Sequence, residues 1–451
     1  MRTALAIVLV IGLVLGVGLV LLNQYVQSTA FKQAVLEAAH SALGADVTID
    51  EIRVSLFSGV TLERVAVANP PGFPGNLLSA DALVVRYRLL PLLRKRLEME
   101  QVSLERPVLR LTRGGRGEWN YESLGAHPTQ PPPRSAPRGP APSDLPSPAA
   151  AGSALDIVLP KLAVNRGEVA VTGEKDRLLA RLQQLDLATS VTWVGSALTG
   201  SGQARIETLN IADALFVRRL VAPLSFSASE VRLAPLAGTL ADGDIQGDVT
   251  LRLTGGAKYV VNAQLRNADV ERALEEAGAR HRPLSGKLQL RATLEGTGGL
   301  ATLVGQGRAE VLGGRLLDVP VLSGLAILLQ VPELRDLRFE ECRIEFTLAD
   351  NVLRTPVIRL TSPDVQITGQ GAVSLATSTL DHQLTLALAK GVLDRAPREV
   401  RAAFAERADG LLAVNFRVWG PYDAPKTDLS DRVLKGVAEG FLRRGLRKLF
   451  R

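Results

Sequence analysis

Cysteine is almost absent from this chain. Cys342 stands alone among 451 residues, so an internal disulfide is impossible and stability must come from packing and strand pairing. Aromatic residues make up only 4%, against 46% apolar residues overall, so leucine, valine and alanine must build the interior. Basic segments interleaved with aromatics, the pattern that stacks nucleic-acid bases, are missing too, and no nucleic-acid partner is expected. Histidine is scarce. His40, His127, His281 and His382 are scattered, and none has a second histidine at metal-ligand spacing. HExxH, CxxC and GxSxG do not occur. Gly195 and Gly200 have P-loop spacing, but Ser201 stands where a lysine must reach the phosphates. These absences predict neither metal nor cofactor and argue against an enzyme.

The most informative feature present is Ala4–Leu22, 19 residues without a charge. As a helix it would cover about 28 Å, close to the ~30 Å hydrocarbon core of a bilayer. Arg2 precedes it and Lys32 is the first charge after it, so the positive-inside rule puts Met1 in the cytoplasm and the bulk of the chain beyond the membrane. The alternative is a signal peptide cleaved near Ser28-Thr29-Ala30, although the run exceeds the usual ~7–15-residue signal core. The formal charge of +7 fits an acidic membrane surface.

Beyond the anchor, Phe31–Leu43 reads as an amphipathic helix with Gly44 at its C′ position. Alternating runs follow. A slip of parity near Asp50-Glu51, and another between Val60-Leu62 and Val65-Val67, predict bulges. Further strands are predicted over Ala82–Leu89, Glu98–Leu104 and Val108–Thr112. Arg94, Lys95 and Arg96 mark either a solvated turn or a contact with lipid headgroups. From His127 to Pro148, nine of 22 residues are proline, a composition that predicts a semi-extended linker and a domain boundary.

From Leu155 to Gly420 the pattern is mostly strand. A unit of glycine, alternating run and glycine recurs at Gly247–Gly255, Gly286–Gly296 and Gly410–Gly420. One face of each run is aliphatic and the other polar, as in a sheet buried on one side. Asn165–Glu168 reads as a turn. Helices are predicted over Val270–Gly278, Val321–Gln330, Asp394–Asp409 and Leu429–Arg451. The last sets Arg443, Arg444 and Arg447, with Lys448 beside them, against an apolar side, to bind a membrane surface or to plug the sheet. One-sided strands with few helices leave two solutions, a sandwich of two sheets or a single sheet folded lengthwise around an apolar trough.

Several motifs resemble the AsmA family of envelope proteins of Gram-negative bacteria. They are Gly44-Ala-Asp-Val-Thr-Ile-Asp, Gly59-Val-Thr-Leu-Glu-Arg-Val, Pro107-Val-Leu-Arg-Leu and Gly117-Glu-Trp-Asn-Tyr, with looser matches from Gly313 to Leu384. The resemblance implies a long, curled, groove-like antiparallel β-sheet related in design to bridge-like lipid transfer proteins. It implies a role in moving phospholipid and in outer-membrane biogenesis, and it favours the trough. Acyl chains are then expected along Leu251, Leu253, Leu288, Leu290 and Leu294. A scaffold or chaperone for outer-membrane protein assembly, partnered by envelope proteins and carrying no lipid, is the alternative.

The resulting architecture is mainly β. It comprises a membrane anchor (residues 1–28), an AsmA-like α/β segment (29–125), a linker (126–153), a β-rich groove region (154–425) and a basic amphipathic helix (426–451). The anchor reading predicts that the mature protein keeps Met1 or Arg2 and sediments with inner-membrane vesicles. Protease added outside spheroplasts should digest everything past Tyr25. A mature chain beginning at Phe31 would instead establish a signal peptide.

Overall fold

A computed structural model describes residues 29–55, 59–87, 99–122, 157–194, 197–254, 258–297, 302–422, 424–429 and 431–432. The expected anchor, the Arg94–Arg96 cluster and the basic face at Arg443–Lys448 lie outside these residues. Among the described residues no helix is long and apolar enough to cross a membrane. The chain is mainly β and forms two compact units, residues 1–213 with 224–228 and residues 214–223 with 229–451.

The first unit opens with helix α1 (Thr29–Leu43). Gly44 ends it at φ +63°, and its N–H bonds to the His40 carbonyl at 2.8 Å, the left-handed stop that the sequence predicts. Strands β1 (Val47–Thr48) and β2 (Glu51–Ser55) both pair with β3 (Gly59–Ala68). The predicted slip is the break at Ile49-Asp50. Opposite it Arg64 sits at φ +49°, which lets Val60 and Leu62 on one side and Val65 on the other reach one cluster with Ile49, Ile52 and Leu36. Next come β4 (Asn76–Tyr87), β5 (Met99–Glu105) and β6 (Val108–Thr112). Strands β7 (Ile157–Thr172), β8 (Leu178–Val194) and β9 (Ala197–Ile211) complete the unit's ladders.

Three expectations are corrected here. The sheet is not wholly antiparallel. Strands β5 and β6 both run parallel to β7, with Val102 opposite Leu162 and Val108 opposite Glu168. Pro107 cannot donate a ladder hydrogen bond and breaks the strand between β5 and β6. Across from it Asn165–Gly167 is a bulge inside β7, with Arg166 at φ +52°, and not a turn between two strands. The two irregularities fit together: Arg106 N–H donates to the Asn165 carbonyl at 2.8 Å, and Glu168 N–H to the Pro107 carbonyl at 2.7 Å. The proline-rich stretch therefore joins neighbouring parallel strands of one unit. Parallel neighbours need a crossover of at least about a dozen residues, which this stretch supplies. The compact units divide near residues 213–229 instead of at the linker.

The Gly117–Tyr121 motif closes β6. Asn120 is fully buried, accepts from Thr112 N–H at 3.0 Å, and donates to the Arg110 carbonyl at 2.7 Å and to Asn69 Oδ1 at 2.8 Å. It ties the motif to the Asn69–Gly75 loop, itself closed by Asn69 Nδ2 on the Pro74 carbonyl at 2.7 Å.

Strand β10 (Leu215–Ser227) has residues in both units. The second unit continues with β11 (Glu230–Leu240), β12 (Gly243–Arg252), β13 (Lys258–Asp269) and helix α2 (Val270–Glu276). Asp269 caps α2 by accepting from Arg272 N–H at 3.0 Å. Then follow β14 (Leu284–Thr297), β15 (Val304–Leu317), helix α3 (Pro320–Leu329) and β16 (Asp336–Ala349). Strands β17 (Val352–Thr361), β18 (Val365–Ser374) and β19 (Thr379–Leu388) continue the series. From β11 to β19 each strand pairs antiparallel with the next. The predicted Asp394–Asp409 helix is broken into α4 (Lys390–Leu393), α5 (Arg398–Arg401) and the short strand β20 (Ala405–Glu406). Pro397 is the cause, because it denies helical backbone to Ala396 and restarts the chain at Arg398. Strand β21 (Leu412–Pro421) pairs with β19, and its outer edge is covered in part by β20 and β22 (Lys426–Thr427).

Pairing across the linker has a direct consequence. A protease site inserted between Pro142 and Ser143 should yield, on cutting, two fragments that co-elute in detergent and separate only in denaturant. Fragments that part under native conditions would show that β6 and β7 do not hold one unit together.

Candidate functional site

The candidate site is the aliphatic face of the second unit's sheet. It follows from period-two alternation carried across strands in register. One row runs Val249, Val261, Leu294, Gly305, Leu348, Leu353, Val373 and Leu380 from β12 to β19. The next runs Gly247, Ala263, Ala292, Gly307 and Phe346. A third runs Ile245, Leu265, Leu290, Ala309, Ile344, Ile358, Gly369, Leu384 and Phe416. A fourth holds Leu288, Val311, Cys342, Leu360, Ile367, Leu386 and Val414. Glycines recur because large side chains lean over them. A Cβ at Gly307 would stand 2.5 Å from the Phe346 ring, and one at Gly305 would stand 2.6 Å from Leu294 Cδ2.

These rows carry no ionised group. Thr355 and His382 are their polar members near the middle, and they satisfy each other through Thr355 Oγ1 and His382 Nε2 at 3.1 Å. Burial pushes the His382 pKa down, against the weaker opposing pull of Asp381, so the ring is neutral at neutral pH. Burial also pushes the Cys342 thiol up to about 11, with a smaller contribution from Glu341.

Cover over this face is uneven. At one end Leu322 and Ala326 of α3, Val392 and Leu393 of α4, Val400 of α5, and Val331, Leu334, Phe404 and Leu429 pack over Leu360, Leu386, Leu388, Val414 and Phe416. Leu386, Leu388 and Leu393 are wholly removed from water, which at about 1.5–3 kcal/mol each makes this end a closed core. Towards the other end Val249, Val261, Leu294, Ile344, Ile358, Val373 and Leu380 are only half-buried.

The expected acyl-chain residues divide along this gradient. Leu288 packs against the closed core. Leu290 and Leu294 lie in the half-buried region, and Leu251 lies opposite Tyr259 at its β12 end. Leu253 falls beyond the end of β12 and is 46% exposed. Sequence reasoning missed the parts of the rows on β13 and β16, although Tyr259-Val261-Ala263 and Cys342-Ile344-Phe346 alternate plainly. It also missed a depression of about 820 Å³ on the opposite face, lined by Gln246, Asn262, Gln264, Arg291, Gln306, Arg308 and their neighbours. Among the described residues no His, Cys, Asp and Glu side chains gather as a metal site.

Cys342 supplies a measurable check on this face. With its pKa near 11 it should hold about 100-fold less thiolate at pH 8 than an ordinary thiol of pKa 9. Alkylation of the native protein should be slower by about that factor, and its rate should rise nearly tenfold per pH unit up to the unfolding limit. Reaction at the rate of a free thiol would place Cys342 outside the buried row.

A family model for the AsmA family matches residues 1–228. The matched stretch ends at Ala228, the last residue of the first compact unit. No curated protein and no solved structure matches the chain. The match takes in half of the 451 residues, including every N-terminal motif quoted above, and the chain belongs to the AsmA family.

Proposed function

We propose that this protein is anchored in the inner membrane by Ala4–Leu22, exposes its bulk to the periplasm, and carries phospholipid acyl chains on the half-buried aliphatic face of its second unit. It supports outer-membrane biogenesis through binding and transfer, and the reading assigns it no catalytic step. The observation that carries the proposal is the face itself: rows of Val, Leu, Ile, Ala and Gly across β12 to β19, which among the described residues are closed by helices at one end. Its polar members are neutral. An acyl chain needs such a surface and nothing more specific, because its transfer from water scales with apolar area at about 25 cal/mol per Å². Membership of the AsmA family supports an envelope role.

Substitution along the gradient tests it. Leu386→Glu buries a carboxylate where there is neither water nor a partner and should cost several kcal/mol, enough to unfold or eliminate the protein. Leu290→Glu and Leu294→Glu lie where water reaches, so both should keep native β circular dichroism. Their phospholipid content, measured by lipidomics on the purified full-length protein, should fall by at least half. Folded variants with unchanged lipid would remove this face as the lipid site. A parent protein that recovers an envelope protein but no lipid would replace the proposal with a scaffold.

A further inference from the structure

The other face of the same strands is polar, and at one place on it two arginines converge on a neutral amide. We propose that Arg266 and Arg291, converging on Gln264, form a binding site for a phosphate-bearing anion on the polar face of the second unit. The inference is independent of the lipid reading, because residues of opposite parity build the two faces.

The geometry begins with register. Gln264 on β13 lies opposite Arg291 on β14, and Arg266 follows it by two residues on the same face. The Gln264 amide oxygen, turned towards the two guanidinium groups, lies 3.1 Å from both Nε and Nη2 of Arg266, and 3.2 and 3.3 Å from Nε and Nη2 of Arg291. Arginine can only donate, so the group facing it must be the carbonyl and not the NH₂. One amide oxygen has two lone pairs for these four nitrogens. The donors of the pair are therefore under-satisfied, and nothing in a neutral amide offsets two positive charges.

The surrounding charges do not offset them either. Asp244 is the register partner of Arg266 but makes no ion pair with it, and among the described residues no carboxylate lies within ion-pair distance of Arg266 or Arg291. Glu345 is engaged by Arg308 at 2.5 Å and Glu310 by Arg343 at 3.0 Å. Arg308 also lies directly opposite Arg291, a like-charge pairing that disfavours the sheet. Like charges face each other elsewhere in this unit too, as Arg315 opposite Arg338 and Arg343 opposite Arg359, but there Arg315 is held by Asp336 and Arg343 by Glu310 and Glu341. What sets Arg266 and Arg291 apart is that both turn onto one neutral amide.

Arg291 and Gln264 line the depression of about 820 Å³, and Gln246, Asn262, Gln306 and Thr347 surround them with amide and hydroxyl groups. Planar guanidinium forks match pairs of phosphate oxygens, and the amides suit hydroxyl groups beyond the phosphate. The ligand class is thus a phosphorylated polyol. It could arrive as a free sugar phosphate or as the headgroup of a lipid, and both present the same anion to the arginines.

The test uses the full-length protein in detergent, with pyrophosphate as the first probe in calorimetry. The parent should bind it at one site, more weakly as salt is raised. Arg266→Gln and Arg291→Gln should each weaken binding about tenfold or more, as loss of a charge-assisted contact does. Arg205→Gln, in the first unit, should leave it within twofold. Arg291→Gln should unfold no earlier than the parent, since it relieves the repulsion with Arg308; a structural arginine would lower the melting temperature. Glucose 6-phosphate and glycerophosphoglycerol then separate the sources. Arginine-dependent binding of the sugar phosphate alone supports a soluble ligand, and arginine-dependent binding of the deacylated headgroup supports a lipid one. Failure of all three probes to bind, or equal binding by Arg266→Gln, Arg291→Gln and parent, overturns the proposal. Loss of lipid in Leu294→Glu bears only on the aliphatic face, so the two readings fail separately.

Discussion

An uncharged sheet face must be kept from water, and most of what is distinctive in this protein answers that constraint. Strands of period two put most aliphatic side chains on one side, and the register stacks them into rows that cross the second unit. Helices are few among the described residues, and those near the sheet's last strands gather over one end. There Leu386, Leu388 and Leu393 lose all contact with water. Further along the rows the same side chains keep partial exposure. A closed core and an open apolar surface are thus one continuous face, divided by where the covering helices stop.

The constraint also explains residues that would otherwise look incidental. Glycines such as Gly305 and Gly307 stand where a neighbouring Leu or Phe side chain leans across, so the bulk of the row is conserved while its owner changes strand. Thr355 and His382, polar residues in an apolar row, neutralise their own cost by bonding to each other. Even the breaks are paired. Pro107 interrupts one strand where Arg166 bulges in its neighbour, so the ladder resumes on both sides.

The opposite face follows a different rule. It is solvated, and many of its charges pair across strands, as Arg308 with Glu345 and Arg417 with Asp381. Arg266 and Arg291 share a neutral amide instead. Two guanidinium groups brought together without a carboxylate repel each other, and a bound anion would relieve that repulsion.

Much of this was legible in the sequence. Alternation over Gly247–Gly255 and Gly286–Gly296 identified the strands and the aliphatic side, because a period of two records which face a residue takes. The stop at Gly44 and the helices near Val270 and Pro320 were readable for the same local reason: caps, glycines and spacing act within a few residues. Period two does not record which strand lies next door. Only the tertiary structure could show that β6 and β7 pair in parallel across the proline-rich stretch, making a crossover of what reads as a boundary. It alone decided which rows are sealed, since Leu288 and Leu290 are equivalent by pattern but only Leu288 lies against the closed core. It alone brought Arg266 and Arg291 together, because their meeting depends on the register of β13 against β14, which sets Gln264 opposite Arg291, and not on any spacing along the chain.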